Sequence, residues 1–218
     1  MNEDPKFLAI IILIGGKSVR FGTETGLIDF NGKPVIYHQV ETLSKFDENL
    51  YLVAHSDIQI NKYRNISFPR KVEYIIDDKE LLSDDDFRSP MLGIYSGLKK
   101  LNELHFENVL LMSGDAPLIK EKVIELLINQ LEGYECCIPK WKNEFLEPLF
   151  AIYPVSKAYE NAKNSMITKN FSLSGILDDE WNINYISVEN SIKPLDENLV
   201  SLININGPVD IEKLKELY

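Results

Sequence analysis

Four residues of chemical interest stand at or just beyond the ends of apolar runs: Gly15, His55, Asp77 and Asp115. The first run, Phe7 to Ile14, is unbroken and rich in β-branched residues, as a strand buried on both faces reads. It stops at Gly15-Gly16, which can turn without a Cβ penalty and let backbone approach a ligand closely. Lys17, Ser18 and Arg20 follow, so backbone amides and fixed positive charge meet where a polyphosphate could sit. The spacing fits neither GxxxxGK[ST] nor GxGxxG, which excludes a P-loop and a dinucleotide fingerprint. The run Asn108 to Met112 delivers Ser113-Gly114-Asp115-Ala116-Pro117. There Asp115 reads either as part of a helix N-cap or as a hard-oxygen ligand for Mg²⁺, with substrate phosphates completing the octahedron.

These residues need a scaffold that brings the ends of separate strands together. Leu27 to Phe30 reads as a short strand, Asn31-Gly32 as a turn and Pro34 as the first turn of a helix. Ile36, Val40 and Leu43 recur at helical spacing to about Phe46. Leu50 to Ala54 and Val72 to Ile76 read as further strands, separated by a polar stretch, and a helix is expected from Lys120 to Leu131. This alternation predicts a single-domain, Rossmann-like α/β fold over residues 1–218, built on a mostly parallel, doubly wound sheet. In such sheets ligands gather at the carboxyl ends of strands, where all four residues fall.

Composition narrows the partners. The 218 residues carry a formal net charge of −11, which argues against nucleic acid, since phosphate backbones demand a basic footprint. A locally positive nucleotide pocket remains compatible with that charge. Asp84 to Asp86 read as a solvated loop, inside an Asp78 to Arg88 insert expected to lie over the site. No apolar run approaches the roughly 18 residues that span a bilayer, and Met1 to Lys6 lacks a secretory pattern, so a cytoplasmic protein is expected. Cys136 and Cys137 are adjacent, and neither they nor the scattered His38, His55 and His105 have zinc-ligand spacing.

Leu13-Ile14-Gly15-Gly16, then Arg20-Phe21-Gly22 and Gly32-Lys33-Pro34, together with Gly114-Asp115-Ala116-Pro117, resemble the signature of nucleotidyltransferases related to the sugar-nucleotide pyrophosphorylases. Within these, the chain is most similar to the molybdenum cofactor guanylyltransferases of the MobA type. Ser89-Pro90-Met91-Leu92-Gly93 resembles that family's GPLxG, Glu147 to Tyr153 its PLFALY strand on the pterin side, and Leu202 to Asp210 its FxNxNTPED. The resemblance implies GTP and a molybdopterin-type acceptor as substrates and contacts with cofactor-biosynthesis or acceptor proteins. It assigns nucleotide contacts to Leu13, Ile14, Gly15, Gly16, Thr25, His55, Asp77 and Asp115. Asp77 would read the guanine N1–H and N2–H₂ edge, Asp115 would hold Mg²⁺, Arg20 and Asp115 would act in catalysis, and Asn204 and Asn206 would face the acceptor from one side of a strand.

The chain departs from these family motifs at several positions, one of them Gly207 in place of the threonine of FxNxNTPED. Thr25 replaces the lysine that contacts the nucleotide phosphates, His55 replaces an asparagine, and Ser89 replaces a glycine. Lys17 and Lys33 are the candidates for the missing charge. The implied reaction is GMP transfer from GTP with release of pyrophosphate. The alternatives are another nucleotide or acceptor, such as CTP or a sugar phosphate, and a catalytically weak protein that binds GTP or cofactor.

Overall fold

The computed structural model describes residues 6–15, 23–82 and 88–217. Its centre is β1 (Lys6–Leu13), whose neighbours are β4 (Leu50–Ala54) on one side and β6 (Phe106–Ser113) on the other, both parallel to it. Beyond β4 lies β5 (Glu73–Ile76), and beyond β6 lie β8 (Phe150–Pro154), β7 (Cys136–Lys140) and β9 (Ile183–Ser187). Within this seven-stranded sheet, among the described residues, only the β6–β8 and β7–β8 pairs are antiparallel, so the expected mostly parallel α/β sheet is the one observed.

The apolar character of β1 follows from its cover. Its even residues Leu8, Ile10 and Ile12 pack against α1 (Val35–Leu43), α2 (Asp57–Tyr63) and α4 (Glu121–Asn129). Its odd residues Ala9 and Ile11 pack against α3 (Pro90–Glu103) and α5 (Val155–Thr168). Successive strand side chains point to opposite faces, so a strand sandwiched between two helical layers must be apolar at every position. The same geometry separates Cys136 from Cys137. They face opposite layers, both are free and buried, and burial pushes the Cys137 thiol up to about 12.

Local signals placed several boundaries and misplaced others. Asn31 and Gly32 both take positive φ, which closes the β2 (Asp29–Phe30) to β3 (Lys33–Pro34) hairpin. The strand expected over Leu27 to Phe30 is present only at Asp29–Phe30, Leu27 being the end of a 3₁₀ turn over Thr25–Leu27, and Pro34 is the residue before helix α1 rather than inside its first turn. Helix α1 ends at Leu43, short of Phe46, and α4 is shorter than Lys120 to Leu131. The polar stretch after β4 contains a helix, α2. Its start is a capping pattern, with the Ser56 hydroxyl accepting from the Gln59 amide.

Two close approaches set the distance between helix α3 and the sheet, and between β6 and β1. A Cβ on Gly97 would lie 2.6 Å from the Ile11 side chain, and one on Gly114 would lie 2.8 Å from the Leu13 carbonyl oxygen. The Gly114 amide donates to that same carbonyl at 2.9 Å, so the two strand ends are drawn together as they leave the sheet. An isolated side chain can rotate away, but a backbone carbonyl in a ladder cannot. Gly114→Ala is therefore expected to destabilise the fold by about 1–3 kcal/mol, the usual cost of overpacking, read as a lower urea midpoint with an unchanged slope. A wild-type midpoint would show that the strand ends are not in contact.

Candidate functional site

Strand connections leave β1 in opposite directions, towards β4 and β5 first and then back to β6, which makes the carboxyl ends of β1 and β6 the switch point of the sheet. A cleft of about 530 Å³ opens there. Leu13, Ile14 and Gly15 form its floor, Asp77 and Gly93 one wall, and Ser113, Gly114 and Asp115 the other. Thr25, Arg88, Leu149 and Asn204 are also part of its lining. Gly16, Lys17, Ser18, Arg20, Phe21 and Gly22, and Asp84 to Asp86, lie outside the described residues.

Asp77 is held where β5 ends, its amide donating to the Ala54 carbonyl at 2.8 Å. Its carboxyl faces α3 at a point where the helix carries Gly93, and a Cβ there would lie 3.6 Å from Oδ1. Burial pushes this carboxyl up to about 7, against the pull of Lys79 and Arg88. Asp115 is also raised by burial, an effect opposed by the Ser113 hydroxyl, which donates to Oδ1 at 2.6 Å. It does not cap the next helix, because α4 starts at Glu121 with Lys120 before it. The Asp115 carbonyl instead accepts from the Ile205 amide at 2.8 Å, which draws Asn204 to the cleft.

Asn204 and Asn206 both stand exposed on either side of buried Ile205, but no strand carries them. The segment after the 3₁₀ turn Val200–Leu202 is irregular and leads into α6 (Pro208–Leu217). Asn206 belongs to the helix entry rather than to the cleft: its amide and that of Gly207 both donate to the Asp210 carboxylate at 2.9 Å. His55 also sits beside the cleft rather than in its lining. Its backbone lies against Gly15, and its Nδ1 is buried with no hydrogen-bond partner among the described residues. Burial, then Arg88, holds its pKa below the usual value, so the imidazole is neutral near pH 7. Ser89 takes an extended φ of −150° and caps α3 through the Leu92 amide, so the family's glycine is not required at that turn.

Three residues of the site were not singled out from sequence. Gln59 is 1% exposed and uses its whole amide: Nε2 donates to the Ile14 carbonyl at 2.6 Å and to Glu24 at 2.9 Å, and Oε1 accepts from the His55 amide at 2.9 Å. Its signal was the Ser56-x-x-Gln59 spacing of a capping box, although the glutamine reaches one residue further back than such a box does. Glu24 is locked by Gln59, by Lys62 at 2.7 Å and by the Tyr63 hydroxyl, so the residue before Thr25 is anchored to α2. Arg88 lines the cleft just before the Ser89-Pro90 helix start. Lys33, by contrast, pairs with Glu41 at 3.3 Å and lies over the Tyr37 ring, outside the lining.

A family profile described as a MobA-like NTP transferase domain matches residues 10–173. The chain belongs to this family. A "probable molybdenum cofactor guanylyltransferase" of Thermococcus sibiricus is 31% identical over 209 residues, covering 94% of this chain and 96% of the relative. One of the same description from Methanosarcina mazei is 27% identical, covering 98% of this chain and 92% of the relative. The crystal structure of molybdopterin-guanine dinucleotide biosynthesis protein A from Archaeoglobus fulgidus superposes with a TM-score of 0.74 at 26% identity, covering 96% and 97% of the two chains. A 4-diphosphocytidyl-2C-methyl-D-erythritol synthase from Anaerococcus prevotii shares the fold at 17% identity and a TM-score of 0.69, covering 98% of this chain and 99% of that one. As a MobA-like NTP transferase the chain keeps glycine at the β1 exit and aspartates after β5 and β6, while Thr25 lines the cleft where the family signature has lysine.

Two outcomes follow from the burial of this family member's polar groups. The Asp77 carboxyl binds its proton more tightly folded, near 7, than unfolded, near 3.8. Its contribution to stability is therefore full below about pH 4 and lost as pH rises through 7. Asp77→Asn, neutral throughout, is expected to exceed wild type in unfolding free energy at pH 8 by up to about 4 kcal/mol, with no difference of slope arising above pH 8. An Asn variant less stable than wild type at pH 8 would refute the desolvated carboxyl. Gln59→Leu leaves the Ile14 carbonyl and His55 amide unpaired, and urea denaturation is expected to show a loss of roughly 2–5 kcal/mol. A loss under about 0.5 kcal/mol, within the range of an ordinary surface substitution, would mean that the clamp carries no weight.

Proposed function

We propose that this chain transfers GMP from GTP to the terminal phosphate of molybdopterin or its molybdenum form, releasing pyrophosphate, with residues 1–218 acting as one cytoplasmic domain. The observation that carries the proposal is the placement of Asp77 and Asp115 on opposite walls of one cleft, with the Leu13-Ile14-Gly15 turn between them. That arrangement separates a carboxylate for the base from a carboxylate for the phosphates. Asp77, ionised, accepts from the guanine N1–H and N2–H₂ pair, a pair adenine does not offer. Gly15 brings backbone close to the nucleotide at the β1 exit, with Leu13 and Ile14 beneath it. Gly16 and Arg20 are the family positions assigned to the phosphates. Leu149 and Asn204 line the end of the cleft nearest β8 and Asp115, where the acceptor would enter.

The donor set suits Mg²⁺. Asp115 offers one carboxylate with Oδ1 oriented by Ser113, and Asn204 lines the cleft beside it. No cluster of three or more His, Cys, Asp or Glu residues suited to a metal occurs among the described residues. Mg²⁺ is commonly held by one or two carboxylates plus substrate phosphates, so a dedicated cage is not needed. The ion would supply neutralisation of charge at the transferred and departing phosphates. The acceptor phosphate is already ionised, so no general base is required. The P–O bond to the α-phosphorus forms as the bond to pyrophosphate breaks, and the chain's task is alignment and charge stabilisation.

A second reading is favoured by Thr25. This residue faces the cleft with no lysine in its place, and Lys33 is turned away to Glu41, which would suit a protein that binds GTP or cofactor with little turnover. Thermal melting with GTP, CTP, ATP and UTP, each with and without Mg²⁺, separates the possibilities, because a ligand that binds only the folded state raises the melting temperature. A Mg²⁺-dependent rise with GTP above the other three is expected. A preference for CTP would replace guanylyl with cytidylyl transfer. In a transfer assay, Asp115→Asn is expected to lower kcat by about 10²- to 10³-fold, the range seen on losing one preorganised charge-stabilising group. Undiminished turnover in Asp115→Asn would remove the aspartate from the mechanism, and absence of turnover in wild type with retained GTP binding would establish the second reading.

A further inference from the structure

Among the described residues, Arg88 is the only lysine or arginine that lines the cleft. The carboxyl groups of Asp77 and Asp115 line the same space. A nucleoside triphosphate entering it brings several negative charges beside those two acids, and such a site needs cations from the protein as well as from a metal. Lys79 also acts on the Asp77 carboxyl, more strongly than Arg88 does, but it is not part of the cleft lining, and three further lysines are paired elsewhere. Lys33 pairs with Glu41, Lys62 with Glu24, and Lys99 with Asp78 and Glu80. Arg88 makes no ion pair or hydrogen bond within the described residues, yet its charge is close enough to lower the Asp77 carboxyl and the His55 imidazole.

Its position is set by rigid neighbours. Ser89 caps α3 and Pro90 occupies the first turn, so Arg88 leaves the helix start at the edge of the cleft, with Thr25 on the same lining. We propose that Arg88 is a polyphosphate-contacting residue of this chain, providing from the start of α3 the cationic contact that the Thr25 position lacks. The proposal rests on the nucleotide-transfer reading of the cleft and deepens it. A guanidinium can fork onto two phosphate oxygens, and it remains charged at any working pH.

The test is calorimetric titration of guanosine, GMP, GDP, GTP, CTP and ATP, at fixed Mg²⁺, into wild type, Arg88→Ala, Thr25→Lys and the double variant. Arg88→Ala is expected to weaken GTP by about 10- to 100-fold, the worth of a charged hydrogen bond, and GDP by less. Guanosine, which has no phosphate, should change under about twofold. Thr25→Lys in the Arg88→Ala background should restore most of the GTP affinity, a rescue that a structural role for Arg88 would not give. Equal losses for guanosine and GTP, or no loss for either, would overturn the proposal. Wild type that binds GTP no better than CTP and ATP would sink guanine specificity while leaving the phosphate-length dependence of Arg88→Ala to be read on those nucleotides. Wild type that binds none of them would refute both.

Discussion

The geometry of the cleft depends on one buried amide. Gln59 touches the end of β1 through Ile14, the end of β4 through His55 and the entry to the 3₁₀ turn through Glu24. Each of these groups would otherwise be a backbone or carboxylate atom with little access to water, and a buried polar atom without a partner costs more than a satisfied one contributes. The amide can serve all three because it carries both donors and an acceptor in one plane. Lys62 and Tyr63, from the same helix, then hold the Glu24 carboxylate from other directions. Helix α2 therefore works less as cover for the sheet than as the bracket that sets the mouth of the cleft.

On the opposite side the bracket is made mostly of backbone, with one side-chain amide. Gly114 donates to the Leu13 carbonyl, Ile205 donates to the Asp115 carbonyl, and the buried Gln39 donates to the Ser113 carbonyl at 2.8 Å. Asp115 is thus fixed through its neighbours and through Ser113 Oγ rather than by an ion pair. A carboxyl buried from water, with no cationic side chain among the causes acting on it, is raised in pKa. Burial raises Asp77 likewise on the other wall.

The small third apolar cluster explains why residues far apart in the chain contribute to one rim. Phe30 and Val35 from the hairpin region, Leu118 before α4, and Ile205, Ile211 and Leu214 from the last segment pack together. This cluster ties the carboxyl-terminal segment to the β6 exit, and Asn204 reaches the cleft as a consequence. Its neighbour Asn206 lies on the same exposed side but is drawn into the start of α6 by the Asp210 carboxylate.

Much was legible in the residues themselves. An apolar run with no polar interruption declares burial on both faces, so β1, β4 and β6 could be placed from periodicity, and the glycines and aspartates at their ends followed. Asn31-Gly32 declared its turn because both residues tolerate positive φ. Helix α2 was hidden, since its seven residues bury few apolar groups and its worth lies in the polar bonds of Gln59. Arg88 was hidden for a related reason, as a charge acquires meaning only from what faces it across space. Residue type and local spacing determined which strands are buried, where they end and which family pattern they carry. The tertiary structure decided which charges meet in the cleft, because the field at a site is summed over segments that the chain order leaves far apart.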